Sequence, residues 1–184
     1  MNKYVSILIS FLFLSCSHQN EIHKDFNCKI TRYKNLEKLQ DIKNKFSVEL
    51  PKSWKTNFFF DTLQSSIYTA DTTKQLTETF LLDITIINQS IKFDRIFKLK
   101  QKQESIAKNL TNIASGETIL INKPAYYSFS KGIKRSYSYQ VCHYFINTNT
   151  QNFIHVKAEV YGDSLVNNRL CKAFTLLEKI KLIK

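Results

Sequence analysis

Glycine and proline are scarce in this chain. Three glycines and two prolines occur among 184 residues, beside fourteen phenylalanines and nine tyrosines. Disordered and collagen-like chains have the opposite composition, because they are rich in glycine or proline and poor in aromatic side chains. The composition therefore predicts packed, regular structure, and the length suits one domain with a substantial core.

The common signatures of catalysis and metal binding are missing. The sequence has no glycine-rich phosphate loop, no GxSxG motif, no HExxH motif and no CxxC pair. We therefore expect a protein that is not an enzyme and that carries no cofactor.

A hydrophobic run long enough to span a membrane is absent near the N-terminus. The apolar stretch at residues 4–15, "YVSILISFLFLS", has twelve residues. As a helix it would be about 18 Å long, which is short of the roughly 30 Å hydrocarbon core of a bilayer. A secretory signal peptide, which begins with the positive charge of Lys3, fits this stretch better than a membrane anchor.

Cys16 stands where this signal ends. Ser15 precedes it, and the chain turns polar directly after it. The sequence resembles the lipobox of bacterial lipoproteins, in which the signal is cleaved before a cysteine that receives a diacylglycerol and an acyl chain such as palmitate. The resemblance implies removal of residues 1–15 and membrane anchoring through Cys16, since two or more acyl chains hold a protein stably. An ordinary signal peptide with an incidental cysteine is the alternative.

The lipobox resemblance places the protein in the cell envelope. Ser17 follows Cys16, so there is no aspartate at this position to retain a lipoprotein in the inner membrane, which favours the outer membrane in a cell that has one.

Lysine and arginine outnumber the acids by 27 to 15, for a formal net charge of +12. Such a charge suits nucleic acid, anionic lipid or an acidic partner. Export argues against nucleic acid, which leaves headgroups, an acidic partner or a merely solvated basic face.

Three cysteines follow Cys16, namely Cys28, Cys142 and Cys171. Export permits a disulfide, but three thiols leave at least one unpaired. The bridge that we expect first joins Cys142 to Cys171, and buried free thiols are the alternative. His143 does not make Cys142 a nucleophile, because adjacent residues of a strand point to opposite faces.

Periodicity divides the rest of the chain into elements. Residues 16–45 are polar and predict a tether and capping segment with a short helix in "NLEKLQDIKNK". Alternating apolar residues predict a strand from Phe46 that Pro51 ends, and further strands at 65–71, 78–88, 116–122, 125–132, 136–147 and 151–162. Three- and four-residue spacing predicts an amphipathic helix over 90–113, capped by Ser90, and a final helix over 164–183. Consecutive strands with few helices predict an α+β fold with a mainly antiparallel sheet.

Two histidines form the strongest local cluster in the sequence. A hairpin centred on Asn149 places His143 directly opposite His155, with Cβ atoms about 4.5–5.5 Å apart. The pair is a weak metal candidate, because zinc usually needs at least three protein ligands. We expect a structural pair on an aromatic sheet face.

Trp54 and the run "FFF" at 58–60 are expected to pack in the core and its strands.

Two segments carry a family resemblance. "FSVELPKSW" at 46–54 and "ILINKPAYYSFS" at 119–130 are similar to conserved segments of the PsbP/DcrB-like superfamily. The resemblance covers residues 46–184 and implies an α/β/α sandwich around an antiparallel sheet. Members of that superfamily are mostly binding or assembly modules, and no catalytic residue carries over from them.

The expected function is therefore that of a lipid-anchored, non-catalytic envelope protein that binds a protein partner or helps to assemble a complex. The aromatic residues and the positive charge leave a second function open, a carrier of a small ligand or an anionic lipid.

Overall fold

The computed structural model describes residues 26–29 and 31–183, so the predicted signal peptide and Cys16 lie outside the described residues. The strands are β1 (Leu36–Gln40), β2 (Phe46–Pro51), β3 (Lys55–Phe60), β4 (Gln64–Ala70), β5 (Leu81–Ile87), β6 (Thr111–Leu120), β7 (Lys123–Lys134), β8 (Tyr137–Asn147), β9 (Phe153–Tyr161) and β10 (Lys181–Leu182). The helices are α1 (Arg95–Ala107) and α2 (Val166–Leu177). Neither helix in this part of the chain is long and apolar enough to cross a membrane.

The strands form two antiparallel sheets. The larger sheet has seven strands in the order β3-β4-β5-β9-β8-β7-β6, and the smaller has three in the order β1-β2-β10. Helix α1 lies on one face of the large sheet, whereas α2 and the small sheet cover the other. The predicted α+β class with a mainly antiparallel sheet is confirmed. The layer opposite α1 is not purely helical, because the small sheet shares it with α2.

Alternation along the strands builds the core. Leu82, Ile84 and Ile86 of β5 are buried, and they pack with the apolar side of α2 and with Phe46 of β2. Side chains of a strand point alternately to its two faces, so the intervening residues lie on the face of the sheet that carries α1. The core therefore lies between the large sheet and the layer of α2 and the small sheet.

Helix α1 is shorter than the predicted helix over 90–113. Asp94, rather than Ser90, caps it by accepting a hydrogen bond from the Phe97 amide at 2.9 Å. The chain leaves the helix at Asn109, whose φ of 55° is left-handed, and β6 begins soon after. The helix contacts the sheet through Phe97, while Ile96 and Ile106 are 78% and 61% exposed.

The predicted helix within residues 35–45 is wrong, because this stretch forms β1 and a turn into β2. The carboxylate of Asp41 closes the turn by accepting hydrogen bonds from the amides of Lys43, Lys45 and Phe46 at 2.6–3.0 Å. The segment described as a tether also folds with the domain from Phe26, whose side chain is buried in the core.

The disulfide joins Cys28 to Cys171, so the expected Cys142–Cys171 bridge is wrong. Phe26, Cys28 and Tyr33 contact α2, where the Tyr33 hydroxyl donates a hydrogen bond to the carbonyl of Lys172 at 3.2 Å. These contacts place Cys28 at the flank of α2. Cys142 instead points from β8 into the core, where it is a buried free thiol.

Candidate functional site

A cleft of about 470 Å³ separates α1 from the large sheet. Strands β8 and β9 supply its floor, and α1 with the loop before it supplies its wall and rim. Phe97, Phe145 and Phe153 make one part of the lining apolar, while His143 and His155 make another part polar. We call this space the α1 cleft.

The β8–β9 hairpin carries both histidines. The predicted hairpin is confirmed, but its register is shifted by two residues: His143 pairs with Lys157, and His155 pairs with Phe145. The loop spans 148–152, which is longer than the predicted 148–150, and within it the side chain of Asn149 accepts hydrogen bonds from the amides of Gln151 and Asn152. A two-residue shift leaves every side chain on its predicted face, because the period of a strand is two.

The histidines meet diagonally across the two strands. Nδ1 of His143 and Nε2 of His155 lie 2.9 Å apart, which is a hydrogen bond between the rings. The ring of Phe145 stacks on that of His155, with centroids 4.5 Å apart. Burial, followed by the charges of Lys108 and Lys157, lowers the pKa of His143 to about 4. Burial and the neighbouring His143 lower the pKa of His155 to about 3, so both rings are neutral at pH 7.

This histidine pair does not form a metal site by itself. In residues 26–29 and 31–183, no group of three or more His, Cys, Asp or Glu side chains is placed to hold a metal ion. The nitrogens that would bind a shared metal are joined by the hydrogen bond between the rings. What the pair offers is one hydrogen-bond donor and one acceptor on its two remaining ring nitrogens.

Lysines surround the α1 cleft. Lys92, Lys100 and Lys108 come from the loop and the helix, and Lys157 comes from β9. The sequence predicts only a solvated basic face here, yet a spacing signal exists: Phe97, Gln101, Glu104 and Lys108 follow one another at three- and four-residue steps and share a side of α1. The lining could not be read from sequence alone, because the floor comes from distant strands.

Glu159 continues the same face of β9 beyond Lys157. Its carboxylate accepts hydrogen bonds from the Tyr139 hydroxyl at 2.6 Å and from Lys134 Nζ at 3.0 Å. Burial raises its pKa, but these two donors and Lys157 outweigh that effect and hold the pKa below its usual range. The ion pairs satisfy the buried charge, so this cluster holds β8 and β9 together.

Cys142 is not a reactive group. Burial raises the pKa of its thiol to about 12, so it is protonated at physiological pH. His143 lies on the opposite face of β8, as its sequence position predicts. The described residues around Cys142 therefore do not form a nucleophile with a base.

The edge strand β3 forms a second surface. Trp54 packs against Phe80 and Tyr33, as expected for a core residue. The expectation that "FFF" also packs is wrong: Phe59 and Phe60 are 57% and 62% exposed, and Phe58 is 38% exposed. These rings lie on the last strand of the sheet, where neither α1 nor α2 covers them.

The turns beside β3 extend this apolar surface. Leu63 in the β3–β4 turn and Ile42 in the β1–β2 turn are exposed, and Lys43 Nζ donates a hydrogen bond to the Thr62 carbonyl at 3.2 Å, which joins the two turns. We call Phe58–Phe60, Leu63 and Ile42 together the β3 edge.

The opposite edge of the sheet is protected. Strand β6 has a bulge between Asn112 and Ala114 and carries Glu117, which pairs with Lys98 of α1. Bulges, charges and covering helices are the usual means of preventing edge strands from pairing with other chains. Strand β3 has Lys55 at its start and three phenylalanines at its end, and within the described residues it has no bulge and neither helix covers it.

No protein-family model matches the sequence, and no curated protein sequence is similar to it. Solved structures do match. Cyanobacterial PsbP (CyanoP) from Synechocystis sp. PCC 6803 has a TM-score of 0.54 at 11% identity, over 85% of this chain and 97% of that one. The Ran-binding protein Mog1p of Saccharomyces cerevisiae also has a TM-score of 0.54, at 5% identity over 83% and 97% of the two chains.

A third similar structure is LpqN of Mycobacterium tuberculosis, which is involved in cell envelope biogenesis. It has a TM-score of 0.50 at 11% identity, over 81% of this chain and 91% of that one. Identities this low carry no information about residues or partners. Taken together, the three structural matches show that this chain has a PsbP-like fold.

Proposed function

We propose that this chain is an exported lipoprotein, anchored through Cys16, whose PsbP-like domain is a non-catalytic module that binds an envelope protein along the β3 edge. In a cell with two membranes, the anchor lies in the outer one. The exposed β3 edge is the observation that carries the proposal.

The β3 edge has the properties of a protein-binding surface. Among the described strands, β3 ends the sheet, so its outer backbone groups are available to a further strand. Addition of an extended segment to a sheet edge provides main-chain hydrogen bonds, and side chains on alternate sides provide selectivity. Phe58 and Phe60 would contact such a segment on one face and Phe59 on the other. Aromatic side chains are also common at the energetic centre of interfaces.

The disulfide supports export and anchoring. Bridges such as Cys28–Cys171 persist in oxidising compartments, which include the periplasm and the cell surface. Since Cys28 is fixed to α2, the connection from Cys16 can span at most about 40 Å. An acylated Cys16 would therefore keep the β3 edge close to proteins of the same membrane. The similarity to LpqN is consistent with a role in the envelope.

Site-specific photo-crosslinking tests the partner surface. A photoreactive residue replaces Phe59 in the full chain, expressed in its native cells, and a second version carries it at Lys38 on β1. Both positions are exposed on edge strands. They are therefore equally accessible to a partner but lie on different surfaces of the domain. We expect one discrete heteromeric adduct from position 59 and none from position 38.

The variant Phe60→Asp supplies the matched loss-of-binding control. Because Phe60 is exposed, the change should leave folding intact and abolish the adduct. Equal adducts from both positions, an adduct only with a second copy of this chain, or an adduct that survives Phe60→Asp would contradict the proposal.

Lipid labelling tests the anchor. Cys16→Ala should abolish incorporation of labelled palmitate and release the protein from the membrane fraction, whereas Cys142→Ala should change neither. Unchanged membrane fractionation of Cys16→Ala would refute anchoring through this residue, whatever the outcome at the β3 edge.

A further inference from the structure

The α1 cleft changes in character along its length. Phe153, His155 and Lys157 follow one another on one face of β9, with about 7 Å between successive residues. Phe97 near the start of α1 lies over Phe145, with ring centroids 5.1 Å apart. Lys108 follows the end of the helix, on the side of the histidines. The cleft therefore runs from an aromatic end, past the histidine pair, to Lys108 and Lys157, while Lys92 and Lys100 line it from the loop and the helix.

The positive charge of the cleft is largely uncompensated. In the described part of the chain, Lys92, Lys100 and Lys108 have no carboxylate within ion-pair distance. Lys157 is shared between Asp83 at 3.8 Å and Glu159 at 3.3 Å. Glu104 is the one acidic residue among the described cleft-lining residues. Like charges brought together without partners favour a bound anion.

The histidine pair adds directional hydrogen bonding at the middle of the cleft. Because one ring nitrogen of each histidine is used in the 2.9 Å bond, the free nitrogens are Nε2 of His143 and Nδ1 of His155. In either neutral tautomer of the pair, one of these two nitrogens carries a hydrogen and the other does not. The pair can therefore always donate one hydrogen bond to an anionic oxygen.

We infer that the α1 cleft binds an amphipathic organic anion, with its carboxylate or phosphate beside Lys108, Lys157 and the histidine pair and its apolar body against Phe97, Phe145 and Phe153. The volume of about 470 Å³ falls within the roughly 300–1,000 Å³ of small-molecule sites. This site is separate from the β3 edge and goes beyond the proposed function.

Calorimetric titration with defined probes tests the site. The mature chain, residues 16–184, carries Cys16→Ala so that no acyl chain competes. The probes are dodecanoate and dodecyl phosphate below their critical micelle concentrations, octyl glucoside as a neutral amphiphile, and inorganic phosphate as an anion without an apolar body. We expect at least one of the two anionic amphiphiles to bind with a Kd below about 100 μM and both control probes to bind at least tenfold more weakly.

A charge-matched pair of variants locates the site. K100Q/K108Q removes two cations from the cleft, and K52Q/K102Q removes two exposed lysines outside it. The first variant should weaken probe binding about tenfold, and the second less than about twofold, because distant exposed charges are screened. All four positions are exposed, so both variants should retain the wild-type unfolding midpoint.

Nitrogen-15 NMR of the histidine rings gives a second measurement. The anionic probe should shift the ring signals of His143 and His155, and Phe60→Asp should leave probe binding unchanged. Equal binding of octyl glucoside, equal loss in both lysine variants, unmoved histidine signals, or binding only to vesicles that contain phosphatidylglycerol would each overturn the inference. None of these results depends on the crosslinking experiment, so the two proposals can fail independently.

Discussion

The two faces of the large sheet are built differently. On the α2 face, the small sheet and α2 enclose side chains such as Phe46, Leu82 and Tyr144, which are at most 1% exposed. On the α1 face, one helix lies over strands β7 to β9 and leaves the α1 cleft beside partly exposed histidines. The phenylalanines of the β3 edge are exposed at one side of the large sheet.

This difference indicates that one part of the molecule provides the folding stability and that other parts provide the binding surfaces. Burial of apolar surface supplies most of the favourable free energy of folding, so the α2 face should carry most of the stability. Exposed aromatic side chains on an edge strand and cations around a cavity contribute little to folding. Exposed apolar patches more often mark contacts with other molecules. The three predictions below begin with the strongest test of this division.

The largest effect is expected on the α2 face. Phe46→Ala should lower the free energy of unfolding by about 3–5 kcal/mol, because it opens a cavity at a fully buried site. Phe60→Ala, at an exposed position on the β3 edge, should change it by no more than about 0.5 kcal/mol. Urea unfolding of both variants measures the contrast, and similar losses in the two would contradict the division.

The disulfide should have the next largest effect. Cys28→Ser should cost about 2–4 kcal/mol, since it removes a cross-link that closes a long loop. Thermal unfolding with and without reductant provides the measurement. Reductant should lower the Tm of the wild type and of Cys142→Ala, yet leave Cys28→Ser unchanged. If the effect of reductant were lost in Cys142→Ala and kept in Cys28→Ser, the disulfide would join Cys142 to Cys171, which would contradict the Cys28–Cys171 bridge.

A smaller, pH-dependent effect is expected from the histidine pair. The unfolded chain takes up protons on histidine as pH falls below about 6.5, whereas the folded pKa values are about 4 for His143 and about 3 for His155. The unfolded state then binds more protons, so stability is complete above about pH 6.5 and falls as the pH drops towards 4.

His155→Gln isolates this contribution. It removes one of the two depressed groups, so the loss of stability between about pH 6.5 and 4.5 should be smaller than in the wild type. Glu159 contributes mainly below that window, because its pKa is lowered from its usual range. Urea unfolding at the two ends of the window is the measurement. An identical loss in wild type and variant would show that the pair does not resist protonation.

Sequence reasoning succeeded where a pattern is local. Strand β5 follows from its alternating apolar residues, and the faces of β8 and β9 follow from their period of two. It failed where contacts with residues distant in the sequence determine the secondary structure, the register or the disulfide pairing. Leu36 and Leu39 have helical spacing, yet pairing with β2 makes this stretch a strand. The hairpin register depends on the hydrogen bonds of Asn149, and the partner of Cys171 lies 143 residues away.

The site shows the same limit. The two histidines and their shared face could be predicted, because both lie on one hairpin. The α1 cleft could not, since Phe97 and Lys100 come from a helix whose position on the sheet is set by tertiary packing. The exposure of Phe58–Phe60 could not be predicted from the sequence either, because a strand pattern does not show which strand lies at the edge of a sheet.

Hydrogen–deuterium exchange tests most directly the claim that the β3 edge, rather than the small-sheet edge, is the partner surface. The full chain in native membranes is compared with the purified chain, at peptides covering β3 and the following turn (55–63) and β1 (36–40), both of which are edge strands. We predict slower exchange at 55–63 in native membranes and unchanged exchange at 36–40. Equal exchange at 55–63 in the two preparations, or protection at 36–40 alone, would contradict the account.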